Sequence, residues 1–320
     1  MAVFITDYVI EPDLEIKILK NQITTSPLEA KVLLVWHQKI DAAYLNKFPN
    51  LVGIVRYGVG YDAIEMEAIR DRNLIFCNTP DYGTDEVSDT VIAMIMNIAR
   101  GVTIYDFNCR NFNDGSWQEN TESNIVRTSD INLGVIGAGR IGGSILRKSK
   151  SLSLNCSFFD PFKDRGYEKL LGVSRYDSLD ELIEKSDIVS INTPLTEKTK
   201  GMVDSNFVRM MKHGSSLINS ARGEIIKDLD IFYQPLKNNE LNSLALDVLP
   251  TEPPEDSKLI RAWRNRESWL GGRLIINPHT SYYSSNSFIE MRTKAAENAN
   301  RILLGKTPFN IIYNFNEEFC

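Results

Sequence analysis

Three glycines and one aspartate form the first group of residues whose types and spacing could do chemistry. Gly137, Gly139 and Gly142 follow a short apolar run and open a helical segment, and Asp160 ends the next apolar run. In this pattern the first glycine allows a tight turn, the second lets the backbone approach a pyrophosphate, and the third lets helix and strand pack closely. The start of a helix also favours anions. A glycine-rich turn without a ligand is the alternative, but the strand–turn–helix–strand context predicts a dinucleotide site.

The position of Asp160 indicates which dinucleotide is bound. A carboxylate at the end of the second strand accepts hydrogen bonds from the adenosine ribose hydroxyls and repels a 2′-phosphate, so NAD is the expected cofactor. Lys163 and Arg165 follow Asp160 closely. These two cations could accommodate a 2′-phosphate, and NADP therefore remains the alternative.

A second group, Arg222, Glu252 and His279, is defined by position, because each residue comes just after a predicted strand. Each alone has an ordinary explanation: a surface arginine, a loop glutamate, a histidine that caps a turn. Open α/β sheets, however, place their chemistry at the carboxyl ends of their strands. Three such residues at successive strand ends predict an active site. His213, by contrast, lies at a helix end, where a cation stabilises the helix dipole, and we interpret it as structural.

The elements that must position these residues alternate along the whole chain, with short β-like runs between helical stretches. This alternation predicts an α/β fold with parallel sheets covered by helices. Six strands in the middle of the chain match a complete doubly wound sheet. The predicted strands are Val3–Thr6, Val32–Trp36, Val52–Arg56 and Ile75–Cys77 in the first part, then Asn132–Ile136, Asn155–Phe159, Ile188–Ile191, Ser216–Asn219, Ser243–Asp247 and Leu274–Ile276.

Two long predicted helices, Thr84–Arg100 and Ser284–Leu304, bracket the middle block. The second lies so close to the C-terminus that we expect it to pack back on the first domain. The predicted organisation is a Rossmann NAD-binding domain at residues 101–284, inserted into a discontinuous flavodoxin-like domain formed by residues 1–100 and 285–320. The 320 residues are enough for two cores of ordinary size.

Composition excludes several other classes of protein. The formal net charge of −6 argues against a nucleic-acid-binding surface. No apolar run approaches the length of a membrane span. The four cysteines, Cys77, Cys109, Cys156 and Cys320, lack Cys-x-x-Cys spacing, so we expect reduced thiols in a cytoplasmic protein and no metal site.

Four motifs together resemble those of the D-isomer-specific 2-hydroxyacid dehydrogenases: Gly137-x-Gly139-x-x-Gly142, Ser220-Ala-Arg222-Gly-Glu224, Asp247-Val-x-x-x-Glu252-Pro253 and Asn277-Pro-His279. The front half matches too, in residues 56–62 (Arg-Tyr-Gly-Val-Gly-Tyr-Asp) and 78–80 (Asn-Thr-Pro). The resemblance therefore covers nearly the whole chain. Within the family, residues 278–292 look most like the C-terminal-binding-protein branch.

The resemblance implies an NAD-dependent oxidoreductase that transfers a hydride between nicotinamide and a small 2-hydroxy or 2-oxo acid. Arg222 would hold the substrate carboxylate and polarise the carbonyl, since a guanidinium forks onto planar oxyanions. His279 would be the general acid in reduction and the general base in oxidation. Glu252, hydrogen-bonded to His279, would fix the orientation of the imidazole ring.

The family also implies further contacts to cofactor and substrate. Beyond the glycines, the expected cofactor contacts are Arg140, Ile141, Asp160, Pro161, Thr193, Pro194, Asn219, Ser220, Ala221 and Asp247. The expected substrate contacts are the backbone N–H groups of Val59 and Gly60 and the side chains of Trp36, His37, Arg56, Tyr282 and Met291. Trp36 and Met291 fit an ordinary core equally well. The branch usually has tryptophan at the position of Tyr282, so the identity of the substrate is not carried over.

Two alternatives remain beside the dehydrogenase. One is oxidation of another small anion, such as phosphite or formate, on the same scaffold. The other is an NAD(H)-sensing regulatory protein, because the co-repressors of the resembled branch keep the same three residues. We also expect a homodimer through the NAD-binding domains, since residues 84–100 and 102–113 offer more apolar surface than a monomer needs. The stretch Trp263–Trp269 has no interpretation beyond a surface helix or loop.

Overall fold

The computed structural model describes residues 2–7, 11–110, 112 and 117–314. The strands are β1 (Ala2–Ile5), β2 (Ala30–Val35), β3 (Gly53–Arg56), β4 (Ile75–Cys77), β5 (Asn132–Ile136), β6 (Asn155–Phe159), β7 (Ser174–Arg175), β8 (Ile188–Ile191), β9 (Ser215–Asn219), β10 (Leu241–Leu246), β11 (Leu274–Ile276) and β12 (Ile311–Tyr313). The helices are α1 (Asp13–Leu19), α2 (Ala42–Leu45), α3 (Met66–Asp71), α4 (Thr84–Arg100), α5 (Val102–Arg110), α6 (Arg140–Ser151), α7 (Tyr167–Leu171), α8 (Leu179–Lys185), α9 (Ser205–Met210), α10 (Tyr233–Lys237), α11 (Lys258–Arg264) and α12 (Ser285–Leu303).

The chain folds as two compact units, one formed by residues 1–83 and 283–320 and the other by residues 84–282. The first unit is discontinuous, and its first boundary differs from the predicted one, because α4 belongs to the second unit. Val91 and Ile95 of α4 are completely buried in the same apolar cluster as Val135 and Ile145. This apolar face therefore serves the core of the second unit, which removes most of the exposed surface that the sequence suggested for α4.

The first unit is built on a sheet with the strand order β1-β2-β3-β4-β12, within the residues that the structure describes. The first four strands are parallel, as predicted, whereas β12 runs antiparallel to β4 and was not predicted. A single parallel bridge joins Val3 to Ile23 on the outer side of β1. If Ile23 is counted as a rudimentary second strand, the parallel part has the flavodoxin-like order 2-1-3-4-5.

A buried ion pair ties the two ends of the chain together in the first unit. Arg292 of α12 is 5% exposed and Glu15 of α1 is 2% exposed. The Arg292 Nη2 lies 2.6 Å from the Glu15 Oε2, and its Nε donates to Oε1 at 3.0 Å. The Tyr57 hydroxyl donates to the same Oε1. The long C-terminal helix is thereby fixed against the first helix of the chain.

The second unit holds a parallel sheet with the order β11-β10-β9-β8-β5-β6-β7 among the described residues. Counted from β5, this order contains the 3-2-1-4-5-6 arrangement of a doubly wound Rossmann sheet. The two-residue strand β7 is an addition to the six predicted strands, and it pairs with β6. Since the strands are parallel, the carboxyl ends of β5, β8, β9, β10 and β11 lie along one edge of the sheet.

Local signals place the helices of this unit. The side chain of Asp204 accepts hydrogen bonds from the N–H groups of Asn206 and Phe207 at the start of α9, and Ser178 caps α8 by accepting from the N–H of Glu181. The stretch Trp263–Trp269 begins in α11 and both tryptophans pack partly buried on the core. No single helix in the described ranges is long and apolar enough to span a membrane; α4 and α5 reach that length and hydropathy only together, with a bend of 56° between them.

Candidate active site

The glycine-rich turn joins β5 to α6 in the second unit. Gly137 has a φ of +89°, and a Cβ there would lie 2.7 Å from the Asn192 carbonyl oxygen. A Cβ on Gly142 would lie 1.9 Å from the Gly137 carbonyl oxygen, so helix and turn approach as closely as the motif predicts. Gly139 differs, because its Cβ would meet no described atom within 4 Å. It is also the N-cap of α6, and no described side chain caps that helix start. The turn is thus open at the place where a pyrophosphate would bind.

Asp160 follows β6 directly and lies beside this turn. It is 8% exposed, and its Oδ2 accepts a hydrogen bond from the Ala138 N–H at 2.9 Å, inside the glycine turn. Its Oδ1 accepts from the Phe162 N–H at 2.9 Å. The structure therefore brings Asp160 to the turn, as the fingerprint requires. Arg140 and Ile141 begin α6, and Pro161 follows Asp160.

Asn219 organises the loop that carries Arg222 at the end of β9. Its Oδ1 accepts from the Ala221 N–H at 3.0 Å and its Nδ2 donates to the Arg222 carbonyl at 2.9 Å. Gly223 lets this loop meet the next one, because a Cβ there would lie 1.9 Å from the Leu249 carbonyl oxygen. Asn219 was predicted to contact the cofactor; in the structure its amide holds the arginine loop.

Glu252 and His279 form a hydrogen-bonded pair that joins the loops after β10 and β11. The Glu252 Oε2 lies 2.8 Å from the His279 Nδ1, and its Oε1 accepts from the Leu249 N–H at 2.9 Å. Burial raises the pKa of Glu252, but the hydrogen bonds from His279 and Leu249 and the charges of His279 and Arg222 outweigh it and hold that pKa below its usual value. The carboxylate is therefore ionised at neutral pH. With a proton on Nδ1 facing the carboxylate, Nε2 is the atom left for proton exchange.

Asp247 fixes the backbone turn that presents His279. Its carbonyl accepts from the His279 N–H at 2.9 Å, and its Oδ1 accepts from the N–H groups of Thr280 and Ser281, each at 3.1 Å. His279 has a φ of +55°, in the left-handed region, so the turn needs such support. Asp247 is 2% exposed, and this burial raises the pKa of its carboxyl despite the hydrogen bonds.

The first unit holds its own cluster of predicted site residues at the ends of β2 and β3. Trp36 is 8% exposed, its ring centroid lies 5.0 Å from that of His37, and the Arg56 guanidinium carbon lies 5.7 Å from its ring. Asp7, which sequence reasoning missed, accepts hydrogen bonds from the N–H groups of residues 36–38. These bonds and that from Thr6 outweigh burial and lower the pKa of Asp7. The only signal in the sequence was a carboxylate just past a strand end.

The remaining predicted substrate residues differ in their accessibility. Val59 is 38% exposed, and its carbonyl accepts from the Asn78 side chain at 2.7 Å, which steadies the Val59–Gly60 turn. Met291 has no exposed surface, and this agrees with the core interpretation that the sequence left open. Tyr282 is the last residue of the second unit and is partly buried.

A comparison with known families decides what these residues belong to. Residues 92–281 match the model described as D-isomer specific 2-hydroxyacid dehydrogenase, NAD binding domain. The chain belongs to the D-isomer specific 2-hydroxyacid dehydrogenase family. It is an oxidoreductase of this family, with NAD as cofactor.

Individual 2-hydroxyacid dehydrogenases support the same assignment. The chain is 31% identical over 277 residues to a glyoxylate reductase of Korarchaeum cryptofilum, covering 85% of this chain and 79% of that one. It is 27% identical over 312 residues to a D-3-phosphoglycerate dehydrogenase of Methanocaldococcus jannaschii, covering 97% of this chain but only 57% of that protein's length. A D-lactate dehydrogenase structure from Aquifex aeolicus, complexed with NAD and lactic acid, superposes with a TM-score of 0.80 at 23% identity, over 95% of this chain and 96% of that one; this likeness concerns the fold.

The residues of this dehydrogenase fit the cofactor of its family. The Gly139 position leaves room for a phosphate at a helix start without a side-chain cap. At the ends of β8 and β9, the Thr193 Oγ1 and the Ser220 Oγ are buried without a hydrogen-bond partner among the described residues. Buried polar atoms are normally paired, so both are available to the polar atoms of a nicotinamide. Nearby, Pro194 is exposed and Ala221 is partly buried. No group of three potential metal ligands occurs among the described residues.

Proposed function

We propose that this dehydrogenase interconverts a small D-2-hydroxy acid and the corresponding 2-oxo acid, with His279 as its proton donor and acceptor. The observation that carries the proposal is the 2.8 Å contact between the His279 Nδ1 and the Glu252 Oε2. Glu252 keeps a proton on Nδ1, so Nε2 gives a proton to the carbonyl oxygen during reduction and takes one from the hydroxyl during oxidation. NAD, when bound, supplies or accepts the hydride.

Arg222 is the proposed anchor for the substrate carboxylate. Its backbone is fixed by Asn219, and its charge contributes to lowering the pKa of Glu252. A guanidinium in this position can fork onto a planar carboxylate and draw electron density from the adjacent carbonyl. The roles of Val59, Gly60, Trp36, His37, Arg56 and Tyr282 in substrate binding remain predictions.

The proposed NAD site uses the glycine turn for the pyrophosphate and Asp160 for the adenosine ribose. Asn219 and Asp247 stay proposed cofactor contacts, and their side chains also hold the loops of Arg222 and His279. Thr193 and Ser220 offer the polar atoms at the nicotinamide end.

A panel of 2-oxo acids tests the activity. The full chain is mixed with NADH and glyoxylate, pyruvate, hydroxypyruvate or phenylpyruvate, and NADH oxidation is followed by absorbance. Turnover with at least one acid supports the proposal. Tight NADH binding without turnover of any acid would favour the NAD(H)-sensing alternative, and turnover only of phosphite or formate with NAD would favour the other-anion alternative. The resemblance to the C-terminal-binding-protein branch stays a prediction, since the relatives named above are glyoxylate and phosphoglycerate enzymes.

A homodimer through the NAD-binding unit is a further part of the proposal. Less exposed apolar surface supports it than the sequence predicted, because the apolar face of α4 is largely buried within its own unit. Among the described residues after α4, Val102 at 58% exposure and Trp117 at 59% exposure are two exposed apolar side chains. Sedimentation of the chain as a monomer at micromolar concentration would defeat this proposal. A cytoplasmic location also remains a prediction.

A further inference from the structure

Arg175 closes the loop that follows β6 from the neighbouring edge strand. The register of the sheet pairs Arg175 of β7 with Phe158 of β6. Its Nη1 donates to the carbonyl oxygens of Lys163 at 2.8 Å and Asp164 at 3.2 Å, and its Nη2 donates to that of Asp160 at 3.3 Å. The side chain is 11% exposed. A single guanidinium therefore gathers three carbonyls of the segment that starts with Asp160.

Two further contacts lie beside the guanidinium. Its carbon lies 5.9 Å from the centroid of the Phe158 ring, and its Nε lies 3.4 Å from the Asp177 Oδ1. A guanidinium presents five donors in a planar fork, whereas an ammonium is a point charge on a flexible stem. Lysine at this position would keep the charge but could not reproduce the set of contacts.

We propose that Arg175 is a positioning residue of the cofactor site. By fixing the carbonyls of residues 160–164 it holds the Asp160 carboxylate beside the glycine turn, and so sets the preference for NAD over NADP. This inference rests on the proposed function, in which Asp160 binds the adenosine ribose.

The cations near Asp160 explain why a rigid loop matters for this preference. Lys163 lies with its Nζ 4.9 Å from the Tyr167 ring, and the Arg165 Nη2 lies 2.9 Å from the Asp177 Oδ2. Each of these cations thus has a partner other than the Asp160 carboxylate. A looser loop would weaken the hold of Asp160 on a ribose and release Lys163 and Arg165 toward a 2′-phosphate.

The test compares two conservative variants of the full chain, Arg175→Lys and Arg273→Lys. Arg273 is a matched control, because it also donates to three backbone carbonyls in the same unit, those of Leu241, Asn242 and Trp269. It directly precedes β11 and does not contact the loop that follows β6 through these bonds. Dissociation constants for NADH and NADPH are measured by titration calorimetry, and thermal unfolding reports folding. We expect Arg175→Lys to bind NADH about tenfold more weakly, the effect of losing roughly one hydrogen bond. NADPH binding should weaken less, so that the NADPH dissociation constant divided by the NADH dissociation constant becomes smaller.

Arg273→Lys should lower the melting temperature but leave both dissociation constants unchanged. The inference is overturned if Arg175→Lys binds NADH as tightly as the parent chain, if it weakens NADH and NADPH by the same factor, or if Arg273→Lys weakens NADH to the same extent. Should Arg175→Lys prove unstable, Arg175→Gln, which keeps two donors, is measured in the same way. Failure of the parent chain to bind NADH would instead refute the proposed function.

Discussion

The backbone carbonyl of Asp247 accepts a hydrogen bond from the His279 N–H at 2.9 Å, while the Asp247 carboxylate binds the next two N–H groups. One buried aspartate thus holds the entire turn that presents the imidazole. The Oδ1 receives the two shorter contacts, each at 3.1 Å, and the Oδ2 receives a longer one from the Ser281 N–H at 3.3 Å, so an amide oxygen in the place of Oδ1 keeps the two shorter bonds.

Asp247→Asn should therefore keep most of the turnover, whereas Asp247→Ala should lose about tenfold or more, because unpaired buried donors cost about 1–3 kcal/mol. Steady-state kcat for both variants, with NADH saturating, checks this. Equal losses in the two variants would show that the charge of Asp247, rather than its hold on the turn, matters.

Substitution of His279 should remove turnover but not cofactor binding. Asparagine is the appropriate replacement, since it tolerates the φ of +55°. A positioned proton donor contributes ~10²–10⁴-fold, so His279→Asn should lose turnover in that range. Turnover within a few-fold of the parent chain, with NADH affinity intact, would contradict the assigned role.

The Glu252–His279 pair makes a pH-dependent contribution to stability. The folded-state pKa of Glu252 is lowered, so the contribution is fully present above the unfolded carboxyl value of about 4.3 and is lost as the pH falls through the folded value. The melting temperature of the parent chain should exceed that of Glu252→Gln at pH values just above about 4.3, and this margin should shrink as the pH falls below that value. Thermal unfolding of both chains from about pH 5 down to pH ~3 measures this difference in melting temperature. A margin that stays the same at the acidic end would argue against the pair.

Two glycines of one turn should respond differently to alanine. A Cβ on Gly142 would lie 1.9 Å from a backbone oxygen, so Gly142→Ala should destabilise the fold by about 1–3 kcal/mol or more. A Cβ on Gly139 would meet nothing described within 4 Å, so Gly139→Ala should keep the stability within about 0.5 kcal/mol and weaken NADH binding. Thermal unfolding and NADH titration separate the two effects. Unchanged NADH affinity in Gly139→Ala would show that the pyrophosphate does not bind at this turn.

The buried ion pair of the first unit should contribute strongly to its stability. Arg292→Met would leave the Glu15 carboxylate buried and uncompensated, at a cost of about 3–5 kcal/mol. Lys294→Met is the control, because its partners Asp81 and Glu290 are about half exposed and such pairs contribute about 0–1 kcal/mol. Urea unfolding followed by fluorescence measures both. A loss of less than 1 kcal/mol for Arg292→Met would mean that Glu15 becomes neutral or hydrated at little cost.

The sequence predicts those elements whose apolar run or glycine spacing lies within their own residues. The strands β8 and β10 are buried along their whole length, and the apolar runs of 188–191 and 243–247 already indicated them. The glycine turn was equally predictable, because its geometry depends on residues within a few positions of one another.

Features that depend on distant partners could not be found in this way. The strands β7 and β12, of two and three residues, were not predicted, and only their pairing with β6 and β4 shows that they belong to the sheets. Asp7 and Asn219 illustrate the same limit for function. Only the folded backbone shows that their side chains hold the loops of Trp36 and Arg222.

The antiparallel strand β12, together with α12, has a consequence for biosynthesis. The sheet of the first unit uses strands from residues 2–77 and again from residues 311–313, whereas the second unit is one continuous segment. A ribosome therefore releases every residue of the second unit before the partner helix of α1 exists. We expect the second unit to fold cotranslationally. Residues 2–77 would stay incompletely folded and accessible to chaperones until α12 and β12 have been synthesised.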